Sequence, residues 1–238
     1  MFCCRFTKHQ ESEVIVPQPV KTTAEGDSAE GTMANIAVVY YSMYGHIKTM
    51  AQAVQKGIES AGGKCTVYQV AETLPEEALK KMGAPPKDPN HPIMDFSKVD
   101  ELASYDGILF GSPTRFGMIS AQMKTFFDST GGAWMKGAFV GKPAGFFFST
   151  GTQGGGQETT ALTFLTQLTH HGMIFVPIGY GNSKLMDMTE THGGSPYGAG
   201  CLAGPDGSRQ PSALELDVAT YQGEYFTKKA IALKKGSA

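Results

Sequence analysis

The stretch NIAVVYYSMYGHIKTMAQAV (residues 35–54) joins a continuous apolar run to a patterned helix through a short polar turn. Its β-branched and aromatic run, residues 36–41, is typical of a strand that is covered on both faces. Beyond the turn, apolar residues recur at steps of three and four up to Gly62-Gly63, which predicts one buried helix stripe. These residues are Ile47, Met50, Ala51, Val54 and Ile58.

The same alternation of apolar run and helical pattern continues along the chain. Four further strands are predicted, at residues 64–70, 105–113, 142–150 and 172–180. Helices are predicted at about 120–130, 158–170 and 212–233, the last with a stripe formed by Leu214, Val218, Tyr221, Tyr225 and Ala232. Five buried strands alternating with helices predict an α/β fold: a five-stranded parallel sheet with helices on both faces.

Composition narrows the function classes. The 238 residues are 41% hydrophobic with a net charge of −2, enough for one packed domain. The chain lacks the clustered positive charge that phosphate backbones require, so no nucleic-acid partner is expected. The four cysteines, Cys3, Cys4, Cys65 and Cys201, have neither a disulfide-framework nor a zinc spacing. We therefore expect no bound metal and a cytoplasmic protein.

Residues 1–33 differ from the rest of the chain. They mix charges with Pro, Gly, Ser and Thr and show no sustained apolar period, which predicts a disordered N-terminal tail before a domain at 34–238. The tail begins MFCCRF, and acylation of both Cys3 and Cys4 would supply the two membrane signals that stable peripheral attachment needs. Two exposed thiols without lipid are the alternative.

Three strand-to-helix turns are richer in hydroxyls and glycine than a connector needs: residues 42–49, 112–120 and 149–158. In parallel sheets ligands bind beyond the carboxyl ends of the strands, so the three turns are expected to share one site. In the first turn, Ser42, Gly45 and Thr49 place backbone N–H groups at a helix N-terminus, which favours an anion. Neither common nucleotide-binding glycine motif is present. The alternative is that Ser42 and Thr49 only cap the helix.

Seven blocks, in order, carry a resemblance: YYSMYGHI, GSPTRFG, TGGAW, STGTQGGGQE, HHGMIFVPIGY, GGSPYGAG and GSRQPS.LELDVATYQGEY. Together they resemble the WrbA family of flavodoxin-like NAD(P)H:quinone oxidoreductases (type IV) over about residues 34–234. The resemblance implies a flavodoxin fold with strand order 2-1-3-4-5, noncovalent FMN, and two-electron reduction of quinones by NADH or NADPH. It also implies a homo-oligomer, a dimer or a tetramer, whose neighbouring chains help to wall the flavin site.

Carried over by motif, the resemblance assigns cofactor contacts to all three turns. The phosphate loop is Ser42, Met43, Tyr44, Gly45, His46 and Ile47. The second loop, against the flavin ring, is Pro113, Thr114, Arg115, Phe116 and Gly117. The third loop is Ser149, Thr150, Gly151, Thr152, Gln153 and Gly154, with one residue more than the family pattern near Gln153.

Three aromatic residues are expected beside the flavin. Trp134 lies in GGAWMKG, which is too glycine-rich for a core segment, and in the family this tryptophan lines the substrate site. The resemblance places Tyr44 against the nicotinamide and His170 near the flavin, although a histidine that ends a helix is often only a polar cap. His171 is expected to be structural.

The expected reaction is ping-pong: hydride passes from the nicotinamide to FMN, and a quinone then occupies the same ring face. Arg115 and backbone N–H groups would stabilise the reduced flavin, and two-electron delivery would protect against quinone and oxidative stress. An FMN-binding electron carrier or membrane-associated scaffold without quinone turnover is the alternative. The long loops at 83–97 and 181–211 are expected to be functional or interfacial.

Overall fold

The computed structural model describes residues 33–236. This range contains seven strands and six α-helices. The strands are β1 (Asn35–Tyr40), β2 (Lys64–Gln69), β3 (Gly107–Arg115), β4 (Met118–Ile119), β5 (Pro143–Thr150), β6 (Ile174–Phe175) and β7 (Gly200–Leu202). The helices are α1 (His46–Ser60), α2 (Glu76–Lys81), α3 (Ala121–Asp128), α4 (Gly131–Met135), α5 (Gln157–His170) and α6 (Ala213–Gly236), with 3-10 helices at Phe96–Ser104 and Ser183–Met186.

The central sheet has the order β2-β1-β3-β5-β6, and every neighbouring pair along it is parallel. Counting only these five strands in chain order, this is the predicted flavodoxin-like order 2-1-3-4-5. The order reverses between β1 and β3, so the carboxyl ends of these two strands flank a crevice. Fold class and strand order are therefore confirmed.

The fifth position of the sheet differs from the single strand predicted at 172–180. Only Ile174–Phe175 pairs there, beside Pro143 and Ala144 at the start of β5. Pro177 has no N–H to donate to the ladder, and the chain leaves the sheet at this point. The position beside Phe148–Thr150 is filled instead by β7, which returns after an excursion of more than twenty residues.

Helices α1 and α6 cover one face of the sheet and cross with their backbones in close contact. A Cβ on Gly57 would lie 1.9 Å from the Thr220 carbonyl oxygen, and one on Gly223 would lie 2.1 Å from that of Val54. The predicted α6 stripe is partly wrong: Ala232 is exposed and Tyr221 is only partly buried. The buried face instead includes small and polar residues, which an apolar pattern cannot reveal: Ala219, Gln222, Gly223 and Thr227.

The opposite face carries an aromatic core under α3 and α5. Neighbouring rings pack with their centroids about 4–6 Å apart, and the closest pair is Phe146 and Phe164 at 4.2 Å. Phe110, Phe126 and Phe127 complete the cluster. Within residues 33–236 no helix is long and apolar enough to cross a bilayer.

Candidate functional site

The three glycine- and hydroxyl-rich turns meet at one edge of the sheet. Tyr40 at the end of β1 is in register with Gly111 of β3, and Pro113 of β3 is in register with Ser149 of β5. The strand ends flank an open cleft, placed where parallel α/β sheets bind their ligands. It is lined by Ser42, Met43, Tyr44, His46, Ile47, Pro113, Thr114, Arg115, Ser149, Thr150, Gly151, Ala203 and Gly207.

The first turn is built as an anion cradle. Gly45 caps α1 with φ +97°, a left-handed conformation that glycine adopts without steric cost. Its N–H donates to Ser42 Oγ at 3.1 Å, which leaves the Ser42 hydroxyl hydrogen available to a ligand. Five nearby N–H groups meet no acceptor within the described part of the chain: those of Met43, Tyr44, His46, Ile47 and Lys48.

The back of this turn rests on a lysine from the loop at 83–93. Lys87 Nζ lies 3.4 Å from the Ser42 carbonyl oxygen, 3.6 Å from Glu72 Oε2 and 4.2 Å from the centroid of the Tyr41 ring. Burial lowers the pKa of Lys87, and the neighbouring Glu72 carboxylate offsets part of this effect. Lys87 thus places a partly buried cation directly behind the cradle.

Glu72 gathers four hydrogen-bond donors. Burial alone would raise the pKa of Glu72, but donors outweigh it: Tyr41 Oη at 2.8 Å, the Leu74 and Thr73 N–H groups, and Gln122 Nε2. The pKa of this carboxyl is therefore below its ordinary value. Because Tyr41 directly precedes Ser42, this network fixes the point where the strand enters the cradle.

The second turn is a tight hairpin between β3 and β4. Arg115 pairs with Met118, and the two residues between them, Phe116 and Gly117, both have positive φ, as a type I′ turn requires. Phe116 stands fully exposed at the tip and does not line the cleft. Arg115 turns toward the first loop, with its guanidinium 3.9 Å from Met43 Sδ, so the cleft carries one arginine charge at its mouth.

Only the first half of the third turn reaches the cleft. Ser149, Thr150 and Gly151 line it, whereas Gln153 and Gly154 line a separate hollow with His192 and the start of α5. The Thr150 hydroxyl is engaged locally, donating to the Thr152 carbonyl at 2.8 Å. Direct cofactor contacts from Thr152, Gln153 and Gly154 therefore stay a prediction.

His170 and Trp134 lie at the opposite edge of the sheet from the cleft of their own chain. His170 ends α5 just before β6, which pairs with Pro143 at the start of β5, whereas Thr150 in the cleft is at its end. Seven residue steps of strand span roughly 23 Å. The Trp134 side chain is tied to the end of α5, because its Nε1 donates to the backbone carbonyl of His170 at 2.9 Å.

Trp134 lies on the short helix α4 despite its glycine-rich surroundings. It remains 55% exposed, so the prediction that it does not pack in the core holds. His171 is buried between the Phe127 and Phe139 rings and shares a hydrogen bond with Thr130 Oγ1 at 2.9 Å. Burial lowers the pKa of His171, which agrees with the structural role expected for it.

The sequence did not predict several residues in and behind the cleft. Ala203 and Gly207 come from the segment after β7, more than forty residues beyond the third turn. Lys87, which lies behind the cradle, comes from the loop GAPPKDPNHP. The one available signal was the unusual length of both loops, which indicated a function without specifying a residue.

The comparisons with known proteins agree with this geometry. The family model described as NADPH-dependent FMN reductase matches residues 35–184. The chain belongs to this FMN reductase family. Two similar relatives are the quinone-oxidoreductase QR2 of Triphysaria versicolor (57% identical, covering 85% of this chain and 98% of the relative) and the NAD(P)H quinone oxidoreductase YCP4 of Candida albicans (54%, 85% and 70%). The minor allergen Alt a 7 of Alternaria alternata is 58% identical over 80% of this chain and 94% of its own length.

Solved structures show the same fold. A flavodoxin, WrbA-like protein from Agrobacterium tumefaciens superposes with a TM-score of 0.58 at 23% identity, covering 83% of this chain and 97% of its own. Flavodoxin 2 from Bacillus cereus gives a TM-score of 0.54 at 18% identity, over 82% and 99%. Together with the family match and the named relatives, these findings confirm the resemblance to WrbA-type quinone oxidoreductases.

The cofactor of this FMN reductase family fits the residues present. A phosphate dianion matches the five unpaired N–H groups and the positive end of the α1 dipole, because both favour negative charge at a helix N-terminus. The Ser42 hydroxyl and the Arg115 guanidinium add a donor and a positive charge on the same cleft. No group of three His, Cys, Asp or Glu side chains suited to a metal ion occurs in residues 33–236.

Proposed function

We propose that this chain is an FMN-dependent NAD(P)H:quinone oxidoreductase. The observation that carries the proposal is the unpaired anion cradle at Ser42–Lys48, set in a cleft that stays open beside Tyr44 and Arg115. A cradle alone suits any flavodoxin, but an open mouth admits a second flat molecule. The names of the relatives from Triphysaria and Candida support quinone as the acceptor.

Bound FMN would supply the redox chemistry, since it takes up and releases two electrons as a hydride. The chain itself contributes binding and orientation. The cradle N–H groups anchor the phosphate and so fix how far the ring extends along the cleft. Tyr44, 44% exposed at the rim, offers an aromatic wall for a nicotinamide or a quinone, and Arg115 supplies a cation near developing negative charge.

The nicotinamide and the quinone would occupy the same open side of the cleft, so they should bind in turn. Steady-state NADPH oxidation by FMN-loaded protein, with benzoquinone varied at several NADPH concentrations, should give the parallel double-reciprocal lines of a ping-pong reaction. Intersecting lines would show that both substrates bind together. A yellow protein without quinone-dependent NADPH oxidation would favour the electron carrier or scaffold.

We further propose that the site is completed in a homo-oligomer, a dimer or a tetramer. His170 and Trp134 are exposed at the amino edge of the sheet, roughly 23 Å along β5 from the cleft of the same chain. They reach a flavin only if it is bound by a neighbouring chain. The family resemblance, which gives these residues a role near the flavin, supports this arrangement.

Mixed oligomers test the shared site. Trp134→Ala and a Gly45→Val cradle variant should each have low quinone reductase activity, and refolding the two together should restore part of it. In mixed assemblies some sites combine an intact cradle with an intact tryptophan. Activity that never exceeds the sum of the separate variants, or a monomer by light scattering at micromolar concentration, would contradict the proposal.

The predicted tail modification, acylation of Cys3 and Cys4, lies outside the described residues. We propose it as a peripheral membrane anchor on an otherwise cytoplasmic enzyme, supported by the paired thiols in MFCCRF. Hydroxylamine cleaves thioesters, so it should move the protein from the membrane fraction to the soluble fraction. A Cys3→Ser, Cys4→Ser variant is the matched control, and a wild-type protein already soluble before treatment would contradict the anchor.

A further inference from the structure

A buried carboxylate lies behind the cleft at the start of α6. The Glu215 side chain has no solvent exposure, and one of its oxygens lies 2.8 Å from the Arg209 guanidinium. It also accepts three backbone N–H groups: from Gly193 at 2.9 Å, Leu202 at 3.0 Å and Ser212 at 2.7 Å. One carboxylate therefore holds together three separate segments of the long excursion between β6 and α6.

Capping of α6 explains only part of this arrangement. Ser212 and Glu215 form a capping box, in which Ser212 Oγ accepts the Glu215 N–H and the carboxylate accepts the Ser212 N–H. A capping box needs only these two residues, and its glutamate can remain exposed to solvent. The ion pair with Arg209 and the additional amides of Gly193 and Leu202 require a second role, because burying a charge is costly.

Arg209 connects Glu215 to the cleft. Its guanidinium is held by Glu215 and by the carbonyl oxygens of Leu202 and Thr191, at 2.7 and 3.0 Å. Its own carbonyl oxygen lies 2.9 Å from Nε2 of His46, the first residue of α1 and a cleft residue. The backbone of Arg209 is thus fixed against the histidine of the phosphate loop.

The chemistry of this contact determines the tautomer of His46. A carbonyl oxygen only accepts, so Nε2 must carry the hydrogen that it donates to Arg209. In the neutral ring Nδ1 is then an acceptor, and in the charged ring it becomes a second donor. Nδ1 has no hydrogen-bond partner within the described range. It can donate to a phosphate dianion only in the charged ring, because in the neutral ring it is an acceptor.

We propose that Arg209 and Glu215 are positioning residues for the cofactor: they hold His46 as the Nε2–H tautomer, with its ring fixed in the wall of the phosphate site. This inference rests on the FMN site of the proposed function and adds residues that no phosphate-loop motif contains. It predicts that Arg209 affects FMN affinity through His46 and not through its own side-chain charge.

A double-mutant cycle on FMN affinity separates these routes. Arg209→Gln should raise the Kd for FMN about tenfold, the equivalent of one lost hydrogen-bond contact. In a His46→Ala background the same substitution should change the Kd by less than about twofold, because the contact is already absent. Asn182→Ala is the matched control: it removes a 2.8 Å bond from the same excursion to Asp217 of α6, neither residue lines the cleft, and the Kd should be unchanged.

Two results would overturn the proposal. One is an equal loss of affinity on Arg209→Gln in both backgrounds, which would show that Arg209 acts independently of His46. The other comes from ¹⁵N NMR of the FMN-free wild-type protein. It should show a protonated Nε2 on His46, assigned with His46→Gln, and a protonated Nδ1 on the neutral ring refutes the proposal even if quinone turnover fails.

Discussion

Replacement of Gly45 by alanine tests the cradle at its most constrained point. Gly45 has φ +97° and ψ −23°, and a Cβ added there meets nothing within 4 Å. Steric collision therefore contributes nothing, and the whole cost arises from the backbone conformation, about 1–2 kcal/mol for an L-residue. The FMN-free protein should lose about that much free energy of unfolding, or the bend should relax and the cradle open.

Gly62→Ala is a closely matched control. Gly62 follows the other end of α1 and has φ +78°, and a Cβ added to it would also meet nothing within 4 Å, but it lies away from the cleft. Urea unfolding should show similar destabilisation in both variants, since the strain is alike. FMN titrations followed by flavin fluorescence should show a Kd raised about tenfold only for Gly45→Ala.

The comparison of FMN affinities is decisive. If both variants bind FMN as tightly as the wild type while both lose stability, the Gly45 bend does not form the phosphate site. If both lose affinity equally, the effect on FMN follows from general destabilisation. Either result would refute the assignment of Ser42–Lys48 as the anion cradle.

Three further predictions concern the charges around the cleft. The folded-state pKa of Glu72 lies below its unfolded value of about 4.3, so its contribution to stability is present above that pH and is lost as the pH falls through the folded-state pKa. Urea unfolding of Glu72→Gln should accordingly show a weaker acid dependence than wild type below about pH 5; identical slopes would contradict the donor network. Arg115→Gln should lower the potential of bound FMN by roughly 30 mV, the two-electron equivalent of about 1.4 kcal/mol, and an unchanged potential in a spectroelectrochemical titration would place the guanidinium away from the ring. Lys87→Met should raise the Kd for FMN about threefold with kcat unchanged, through loss of the contact with the Ser42 carbonyl; a fall in kcat alone would indicate a role in the reaction itself.

Local patterns of apolar residues in the sequence predicted most of the fold. The continuous apolar run before Ser42 and the spacing of Ile47, Met50 and Val54 predicted a strand, a turn and a helix, and the structure has all three. These patterns predict parallel strands, and the carboxyl ends of parallel strands lie at one edge of the sheet. The patterns therefore also place the three turns together. They fail where small or polar residues pack, as on α6, and where a proline ends a strand early, as at Pro177.

The rest of the site depends on contacts between distant segments. Lys87 reaches Ser42 across forty-five positions of sequence, and Arg209 reaches His46 across 163. No local period encodes such pairs, because each side chain is satisfied by a partner that only the fold supplies. The motif blocks also contain Trp134 and His170, but they do not reveal that these residues lie at the opposite edge of the sheet from the cleft.

The central claim is that the cleft holds FMN with one ring face open to a nicotinamide and a quinone in turn. An anaerobic two-step titration tests it most directly. NADPH added to the FMN-loaded protein should bleach the flavin absorbance, and benzoquinone added after removal of the nicotinamide should restore it with one equivalent of hydroquinone formed. Flavin that NADPH does not bleach, or bleached flavin that benzoquinone does not reoxidise, would contradict the account.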